Sequence, residues 1–343
     1  MLRFGLEGGK RMHGDARADT YRAAERAAWA AHGASEPVES WVDVPELRIR
    51  ARALHAGSGR DVLFVHGAPT AGGSWGDLVG QLGDVHAIAV DRPGCGLSEP
   101  LDYSTMSPAD LADAMVSVLA TTVESAGSSP VDVVCNSFGG FCALSLARAR
   151  PELVRSIVLE GVPMIEGARL ATSTRILAIG PVGRFLARRK TSESDIRRSF
   201  NHIGHVRLVA SGWPSGADLD WMLAMLNDTD TMRNEVSLIQ RAASWRGARP
   251  GWLFDPEELG HIGAPTMWLI GDRDPYASPE LTRRWAESMP SASFEVIPDS
   301  GHMPWLDDPT LHADKIQAGW KAANPGEELN GGGAWCLLRR PGG

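Results

Sequence analysis

The chain passes from a β-branched run into a helix-like run at Val133-Val134-Cys135-Asn136-Ser137-Phe138-Gly139-Gly140. A serine at such a change can stand on a sharp strand-to-helix turn, with its hydroxyl raised out of a sheet and into a cleft. The two glycines leave room for the helix to pack close behind it. Because a serine hydroxyl is a poor nucleophile until a base takes its proton, this interpretation requires a histidine and a carboxylate elsewhere in the chain.

Candidates for that base and acid follow later in the sequence. His302 lies on a loop after the strand-like run 294–297 and before a helix-like run, and we take it as the base. Asp274 closely follows another apolar run, and its carboxylate would hold the imidazole in one tautomer and stabilise the imidazolium. Asp272, in the same turn, is a rival that is better suited to accept hydrogen bonds from turn amides. Glu160 is a third candidate acid, because it too ends an apolar run.

Acyl transfer from such a serine builds negative charge on the carbonyl oxygen, and fixed N–H groups must stabilise it. One donor is expected to be the amide of Phe138, the residue after the nucleophile. The other should come from the loop after the apolar run 62–65, where Pro69 has no N–H and Ala68 is the natural donor. His66, at the start of this loop, is expected to organise the loop by hydrogen bonding rather than to act as a second base.

The bulk composition is that of an ordinary globular protein. The 343 residues are 43% hydrophobic and 22% charged, which suits one large α/β domain with an insertion, or two domains. The formal net charge of −8 disfavours a nucleic-acid partner, because phosphate contacts need clustered Lys and Arg. The four cysteines show no paired or metal-type spacing, which favours a reducing compartment.

No segment of the sequence indicates export or membrane insertion. The first ten residues lack the apolar core and the cleavage-type ending of a secretory signal. No apolar run is long enough to span a bilayer. We therefore expect a cytoplasmic protein that acts on a small-molecule substrate, with no nucleic-acid or membrane partner.

Short apolar runs alternate with helix-like segments along most of the chain. Continuous apolar strands of this kind are typical of a parallel sheet buried on both faces. The alternation predicts an α/β fold with a doubly wound, mostly parallel sheet. The apolar runs are 62–65, 87–90, 131–134, 157–159 and 267–270, and the helix-like segments are 110–124, 138–150, 279–288 and 309–322.

The alternation stops near residue 161 and resumes near 265, with only helical patterns between. We predict a helical cap over 161–263, inserted into a sheet domain made of 41–160 and 264–323. Such a cap would close over the carboxyl ends of the strands, where α/β sheets place their ligands. Its predicted helices are 168–179, 194–200, 219–226 and 232–245.

The two ends of the chain lie outside this plan. Residues 1–40 are predicted to form an extension with one helix, which Asp19 would cap and Gly33 would end. This helix is expected to be a packing element of the main domain rather than part of the site. Residues 324–343 are rich in Gly and are predicted to form a loose tail.

Large apolar side chains in the predicted cap can line a substrate pocket, or can build the cap's own small core. A pocket lined by aromatic and methionine side chains would favour an apolar acyl or alcohol group. His202 and His205 are expected to be structural, because no acidic or cysteine partner adjoins them as a metal site would require. The candidate pocket residues are Trp213, Trp221, Met222 and Met225 in the cap and Trp305 beside the candidate base.

Five segments together resemble the α/β-hydrolase family, in the lid-bearing subfamily of carboxylesterases, lactonases, cofactor-free haloperoxidase-like enzymes and proline iminopeptidases. The resemblance covers roughly 40–160 and 264–322, and the order serine, aspartate, histidine is the one this fold uses. It implies Asp274 as the acid, since the family's acid usually lies three positions after the glycine of its turn. The segments are His66-Gly67-Ala68-Pro69, Asp91-Arg92-Pro93-Gly94-Cys95-Gly96-Leu97-Ser98, the serine turn, Gly271-Asp272-Arg273-Asp274 and Gly301-His302.

One position departs from the family pattern. The serine turn is usually Gly-x-Ser-x-Gly, and Cys135 stands here in place of the first glycine. The position needs a small side chain because strand and helix crowd there, and cysteine is small enough. The alternative, that Cys135 is itself a nucleophile, is disfavoured because its side chain would face into packing on the strand.

A serine nucleophile implies acyl transfer through an acyl-enzyme, with water as the final acceptor. The resemblance implies hydrolysis of an ester, lactone or thioester of a small, apolar molecule, with no metal or organic cofactor. Two alternatives stay open. One is a cofactor-free haloperoxidase, perhydrolase or carbon–carbon bond hydrolase that uses the same triad. The other is a non-catalytic small-molecule receptor on the same fold.

Overall fold

The computed structural model describes residues 15–323, which are organised around an eight-stranded sheet. In chain order the strands are β1 (Val38–Val44), β2 (Ile49–Gly57), β3 (Arg60–Val65), β4 (Val85–Val90), β5 (Val131–Asn136), β6 (Val154–Glu160), β7 (Ala243–Ser244), β8 (Gly247–Ala248), β9 (Thr266–Gly271) and β10 (Ala292–Ile297). The sheet order is β1-β2-β4-β3-β5-β6-β9-β10, and β7 and β8 form a separate small hairpin. β2 pairs antiparallel with β1 and β4, and the other pairs of the large sheet are parallel. The predicted doubly wound, mostly parallel sheet is confirmed.

Helices surround this sheet and fill the insertion. They are α1 (Ala16–Ala31), α2 (Gly76–Gln81), α3 (Pro108–Ser125), α4 (Phe138–Ala149), α5 (Thr172–Leu177), α6 (Gly180–Leu186), α7 (Glu193–His202), α8 (Val206–Ala210), α9 (Gly216–Asp228), α10 (Thr231–Ala242), α11 (Pro279–Ser288) and α12 (Pro309–Ala323). Several have the start signals that satisfy free N–H groups. Ser107 and Asp110 form a capping box at α3, with Pro108 in the first turn.

The core lies on both faces of the sheet, as continuous apolar strands require. Along β5 the side chains alternate between the two faces. Val133 belongs to an apolar cluster shared with α3, α4 and α11. Val134 belongs to a second cluster shared with α2 and α12, in which Trp75 and Trp305 are fully buried. The buried sheet therefore fixes the carboxyl end of β5, where Ser137 follows.

The insertion between β6 and β9 holds α5 to α10 and the hairpin β7–β8. The segment predicted as one helix over 168–179 contains only α5, and α6 follows as a separate helix that begins at Gly180. The helix predicted over 232–245 ends at Ala242, because the chain turns into the hairpin and leaves Trp245 at its tip. Short turns of this kind carry little periodic signal in the sequence.

The N-terminal helix α1 is capped by Asp15, not by Asp19 as predicted. The Asp15 carboxylate accepts a hydrogen bond from the Arg17 amide at 3.2 Å, while Asp19 lies within the first turn. Gly33 follows the helix with a φ of +74°. α1 is fastened to the sheet by a buried ion pair in which Arg52 Nη2 of β2 lies 2.5 Å from Glu25 Oε2. The helix also packs along α9 of the insertion.

The predicted tail over 324–343 lies outside the described residues, as do the first 14 residues. Between residues 15 and 323 no helix has both the length and the apolar character that crossing a membrane requires.

Candidate active site

Ser137 stands at the junction of β5 and α4, directly after Asn136. Its backbone has φ 52° and ψ −117°, a conformation that L residues adopt rarely and that points to a strained, functional turn. The turn depends on a glycine behind it. A Cβ on Gly139 would lie 2.1 Å from the carbonyl oxygen of Val65, so only glycine lets α4 approach the end of β3 this closely.

Cys135 occupies the position where the family has its first glycine. Its side chain is fully buried in the sheet, and its thiol donates to the carbonyl of Val158 at 3.4 Å. Burial raises the pKa of the thiol well above its ordinary range. A buried, protonated thiol suits packing rather than nucleophilic attack.

His302 and Asp274 meet at the carboxyl edge of the sheet. His302 Nδ1 donates to Asp274 Oδ2 at 2.7 Å, and both residues are buried. Two backbone amides hold the carboxylate in place. Val162 N donates to Oδ2 at 2.9 Å, and Tyr276 N donates to Oδ1 at 3.0 Å. This contact fixes the imidazole tautomer that leaves Nε2 free to accept a proton.

The other two candidate acids lie elsewhere. Asp272 is exposed to solvent. Glu160 is buried and pairs with His312 of α12, whose Nδ1 lies 2.9 Å from Glu160 Oε1. Of the three carboxylates proposed from the sequence, Asp274 is therefore the one that contacts His302.

The loop that carries His302 is held on both sides. Asn136 Nδ2 donates to the His302 carbonyl at 2.9 Å, and also to the Glu160 carbonyl at 2.5 Å. The His302 amide donates to the carbonyl of Ile203 in the insertion at 2.8 Å. His205 accepts from the Met303 amide at 3.1 Å, which agrees with a structural role for this histidine. The backbone of the candidate base is thus fixed to both the sheet and the insertion.

Ser137 and His302 line one cavity. His302 Nε2 is buried and makes no hydrogen bond to any other group in the described part of the chain. A free ring nitrogen at the cavity is what a base needs before substrate binds.

Ala68 and Phe138 line the same cavity. Within residues 15–323 neither amide nitrogen donates a hydrogen bond, so both are available to an incoming oxygen. His66 organises the loop before Ala68, because its Nδ1 donates to the Gly67 carbonyl at 2.8 Å and its Nε2 accepts from the Arg92 amide at 3.0 Å. Burial and the neighbouring guanidinium lower the pKa of His66 well below its ordinary range, which keeps the ring neutral.

The cavity has a volume of about 380 Å³, which suits a small organic molecule. Four of the predicted pocket residues line it, namely Trp213, Trp221, Met222 and Met225. The fifth, Trp305, does not. It is fully buried under the site, where its ring stacks on Trp75 with centroids 4.3 Å apart.

One wall of the cavity is polar, and the sequence analysis missed it. His32, which follows α1, lies 2.8 Å from Asp218 of α9 through its Nε2. Asp77 of α2 lines the cavity beside them, and burial raises its pKa to about 7. The helix expected to be only a packing element therefore also contributes Ala28 and leads into His32 at the cavity. No local pattern reveals this, because the wall is assembled from three elements distant in sequence.

A second missed residue is Glu235 of α10, which also lines the cavity. Its Oε1 lies 2.5 Å from Arg92 Nη2 and accepts from the Cys95 thiol at 3.0 Å. Because Arg92 also donates to the Gly67 carbonyl at 2.9 Å, one guanidinium joins the insertion to the loop before Ala68. Among the described residues no group of three or more His, Cys, Asp or Glu side chains is arranged to hold a metal ion.

Two curated relatives are similar to this chain over about three quarters of its length. One relative, a pimeloyl-[acyl-carrier protein] methyl ester esterase of Stenotrophomonas maltophilia, is 28% identical over 277 residues, which cover 76% of this chain and 92% of the relative. Another is a 2-hydroxy-6-oxo-6-(2'-aminophenyl)hexa-2,4-dienoic acid hydrolase of Metapseudomonas resinovorans. It is 23% identical, and the aligned segment covers 76% of this chain and 84% of the relative. Both relatives are hydrolases.

A solved structure of a membrane phospholipase A, described as a bacterial virulence factor, superposes with a TM-score of 0.68 at 21% identity, covering 89% of this chain and 91% of that one. At this identity the likeness concerns the fold alone. The model of the alpha/beta hydrolase family matches residues 62–314, a span that runs from β3 through His302 into α12. The chain is therefore a member of the alpha/beta hydrolase family.

Proposed function

We propose that the protein is a serine hydrolase that cleaves an ester, lactone or thioester of a small, apolar molecule through an acyl-enzyme. The observation that carries this proposal is the 2.7 Å contact between His302 Nδ1 and Asp274 Oδ2, with the opposite ring nitrogen unpaired at the cavity that Ser137 also lines. A base held in one tautomer beside a serine on a strained turn is what nucleophilic acyl transfer needs.

The reaction follows from the residues in two steps. Ser137 Oγ attacks the carbonyl carbon while His302 Nε2 takes the hydroxyl proton, and the Asp274 carboxylate stabilises the imidazolium. The amides of Ala68 and Phe138 stabilise the oxyanion. As the intermediate collapses, the bond to the leaving group breaks and His302 gives its proton to the departing alcohol or thiol. Water then attacks the acyl-enzyme with the same base, which returns Ser137 and releases the acid.

The cavity supports an apolar substrate. Trp213, Trp221, Met222 and Met225 supply aromatic and thioether surface, and such surface binds acyl or alkyl groups by burial. The relative from Stenotrophomonas maltophilia is a methyl ester esterase by name, which supports an ester among the candidate substrates.

A fluorophosphonate probe with intact-mass measurement tests the nucleophile. We expect one adduct on the wild-type protein, no adduct on Ser137→Ala, and an unchanged adduct on Cys135→Ala, because that thiol is buried. The same three proteins are then assayed on a panel of esters, lactones and thioesters. Absence of labelling and turnover in a folded wild-type protein would overturn the proposal and favour a receptor on the same fold.

A further inference from the structure

The exposed apolar side chains of the protein are concentrated in one place. Among residues 15–323, seven large hydrophobic side chains are exposed, and four of them lie on or between α5 and α6. They are Ile176, Ile179, Val182 and Phe185, and the Phe185 side chain is 71% exposed. These four side chains, spaced three residues apart in the sequence, all face solvent and form the apolar row. A cluster of this kind marks an interaction site more often than chance exposure does.

A fifth member of the seven, Trp245, adjoins this row. It lies at the tip of the β7–β8 hairpin and is 60% exposed. The Arg175 guanidinium on α5 donates to its backbone carbonyl at 2.9 Å, so the hairpin tip and α5 are neighbours. The Arg246 guanidinium lies 5.4 Å from the centre of the Trp245 ring. An exposed tryptophan beside cations is typical of proteins that contact the interface between water and lipid.

The sequence interval that contains the row carries only positive charge. Between Glu166 and Glu193 the sequence has no acidic residue, although the chain as a whole carries a net charge of −8. Six basic residues occupy this interval, namely Arg169, Arg175, Arg184, Arg188, Arg189 and Lys190. Arg189 approaches Asp195 at 3.7 Å while it remains 63% exposed, and in the described structure Arg184, Arg188 and Lys190 form no ion pair. The surface therefore offers uncompensated positive charge next to apolar side chains.

α5 has a second side that reaches the candidate active site. Ser173, Thr174 and Leu177 of this helix line the cavity that contains Ser137 and His302. Gln240 of α10 donates to the carbonyls of Leu177 and Gly180 at 3.2 Å and 3.1 Å, which holds the turn between α5 and α6. The cavity wall and the first residue of the row, Ile176, thus lie on one short helix, and the rest of the row follows it in the chain.

We propose that residues 168–190 together with Trp245 form a docking surface for an anionic lipid bilayer. The apolar row enters the headgroup region, and the arginines and lysine lie against anionic headgroups. Such docking is peripheral and needs no membrane-spanning segment. The expectation of no membrane partner rests only on the lack of a spanning segment in the sequence. One consequence for the substrate rests on the proposed function. An ester with an acyl chain enters the cavity from the lipid side, past α5.

Flotation with vesicles tests the docking surface on the full chain. We expect the wild-type protein to bind vesicles that contain phosphatidylglycerol about tenfold more tightly than vesicles of phosphatidylcholine alone, and to lose this difference in high salt. Ile179→Ser with Phe185→Ser should weaken binding to the anionic vesicles about tenfold, because two apolar side chains no longer enter the interface. Arg184→Gln with Arg188→Gln should weaken it and reduce its dependence on salt.

The matched control is Val206→Ser, which changes another exposed apolar side chain on α8, outside the docking surface. This variant should bind vesicles as the wild type does. Equal binding by all variants, or no binding of the wild type to anionic vesicles at low salt, would overturn the proposal. Binding to soluble poly-glutamate without binding to vesicles would also overturn it, since that result points to an acidic protein partner.

Turnover of a water-soluble ester separates this proposal from the proposed function. The docking variants should hydrolyse such an ester at the wild-type rate, because none of the changed residues lines the cavity. A wild-type protein that binds vesicles but neither hydrolyses esters nor reacts with a fluorophosphonate would leave the docking surface standing while the hydrolase proposal fails.

Discussion

The side-chain amide of Asn136 donates to the backbone carbonyl of His302 at 2.9 Å. The residue immediately before the candidate nucleophile therefore holds the backbone of the candidate base, across 166 positions of sequence. The same amide nitrogen donates to the Glu160 carbonyl at 2.5 Å, and Asn136 is 2% exposed. One side chain thus joins the ends of β5 and β6 to the loop that carries His302.

We expect Asn136→Ala to lower kcat about 10- to 100-fold on any ester that the protein cleaves, because a shift of His302 by a fraction of an ångström misaligns proton transfer. It should also lower the free energy of unfolding by about 1–3 kcal/mol, since two buried carbonyls lose their donor. Steady-state kinetics and urea unfolding measure the two effects. Ser145→Ala on α4 removes another buried polar side chain, one without a hydrogen-bond partner, and should leave kcat unchanged. Equal kcat in both variants would show that Asn136 does not position the base.

Asp274→Asn should reduce kcat about 10³- to 10⁴-fold, since an amide in this position favours the wrong tautomer of His302. Asp272→Asn is the matched control in the same turn. Its carboxylate is exposed, and we expect turnover close to that of the wild type. Kinetics on one ester with both variants distinguishes them, and a large loss in Asp272→Asn alone would reassign the acid.

Ala68→Pro removes one of the two amides proposed to stabilise the oxyanion. We expect kcat to fall about 10²- to 10³-fold with little change in stability, which corresponds to about 3–4 kcal/mol of transition-state stabilisation. Ala68→Ser keeps the N–H and should retain most of the activity. Near-normal turnover by a folded Ala68→Pro protein would exclude this amide from the oxyanion hole.

Asp77 should make the protein less stable as the pH rises. Burial raises the pKa of this carboxyl from 3.8 to about 7, so between about pH 4 and pH 7 the folded chain keeps a proton that the unfolded chain has lost. The folded state then binds more protons, and the free energy of unfolding decreases with increasing pH across this window. Asp77→Asn removes the effect, and we expect it to be about 4 kcal/mol more stable than the wild type at pH 8 but similar at pH 4.

Urea unfolding at several pH values measures this difference. Asp43→Asn, at an exposed position on β1, is the control and should follow the wild-type curve at every pH. If the curves for Asp77→Asn and the wild type run parallel, the Asp77 carboxyl is ionised in the folded protein at neutral pH.

The sheet and the three candidate catalytic residues could be predicted because each depends on local sequence. Buried parallel strands leave unbroken apolar runs such as 62–65, and the residues at their carboxyl ends must meet at one edge of the sheet. The sequence pattern places the N-cap of α1 four residues too late, because Asp15 and Asp19 both lie near the start of the same helical pattern. Short helices such as α6 span too few residues for a periodic signal.

The cavity was harder to predict because neighbours in sequence need not be neighbours at the site. Trp305 is three positions from His302, but a turn of 3₁₀-helix over Pro304–Leu306 directs its ring into the core against Trp75. The opposite holds for His32 and Asp77, which are distant in sequence but close together at the cavity. Each is unremarkable in its own segment, and they line the cavity because α1 packs against both α9 and α2.

The ion pair between Glu25 and Arg52 shows how far towards the N-terminus the chain must extend to enclose the cavity. Both residues precede residue 62, where the match to the family model begins, yet they hold α1 in the position that lets Ala28 and His32 close one side of the cavity. A truncation trimmed to the family-matched segment would retain Ser137, Asp274 and His302 but expose the chamber around them to water. The part of the chain that encloses the candidate active site is therefore larger than the segment by which its family is identified.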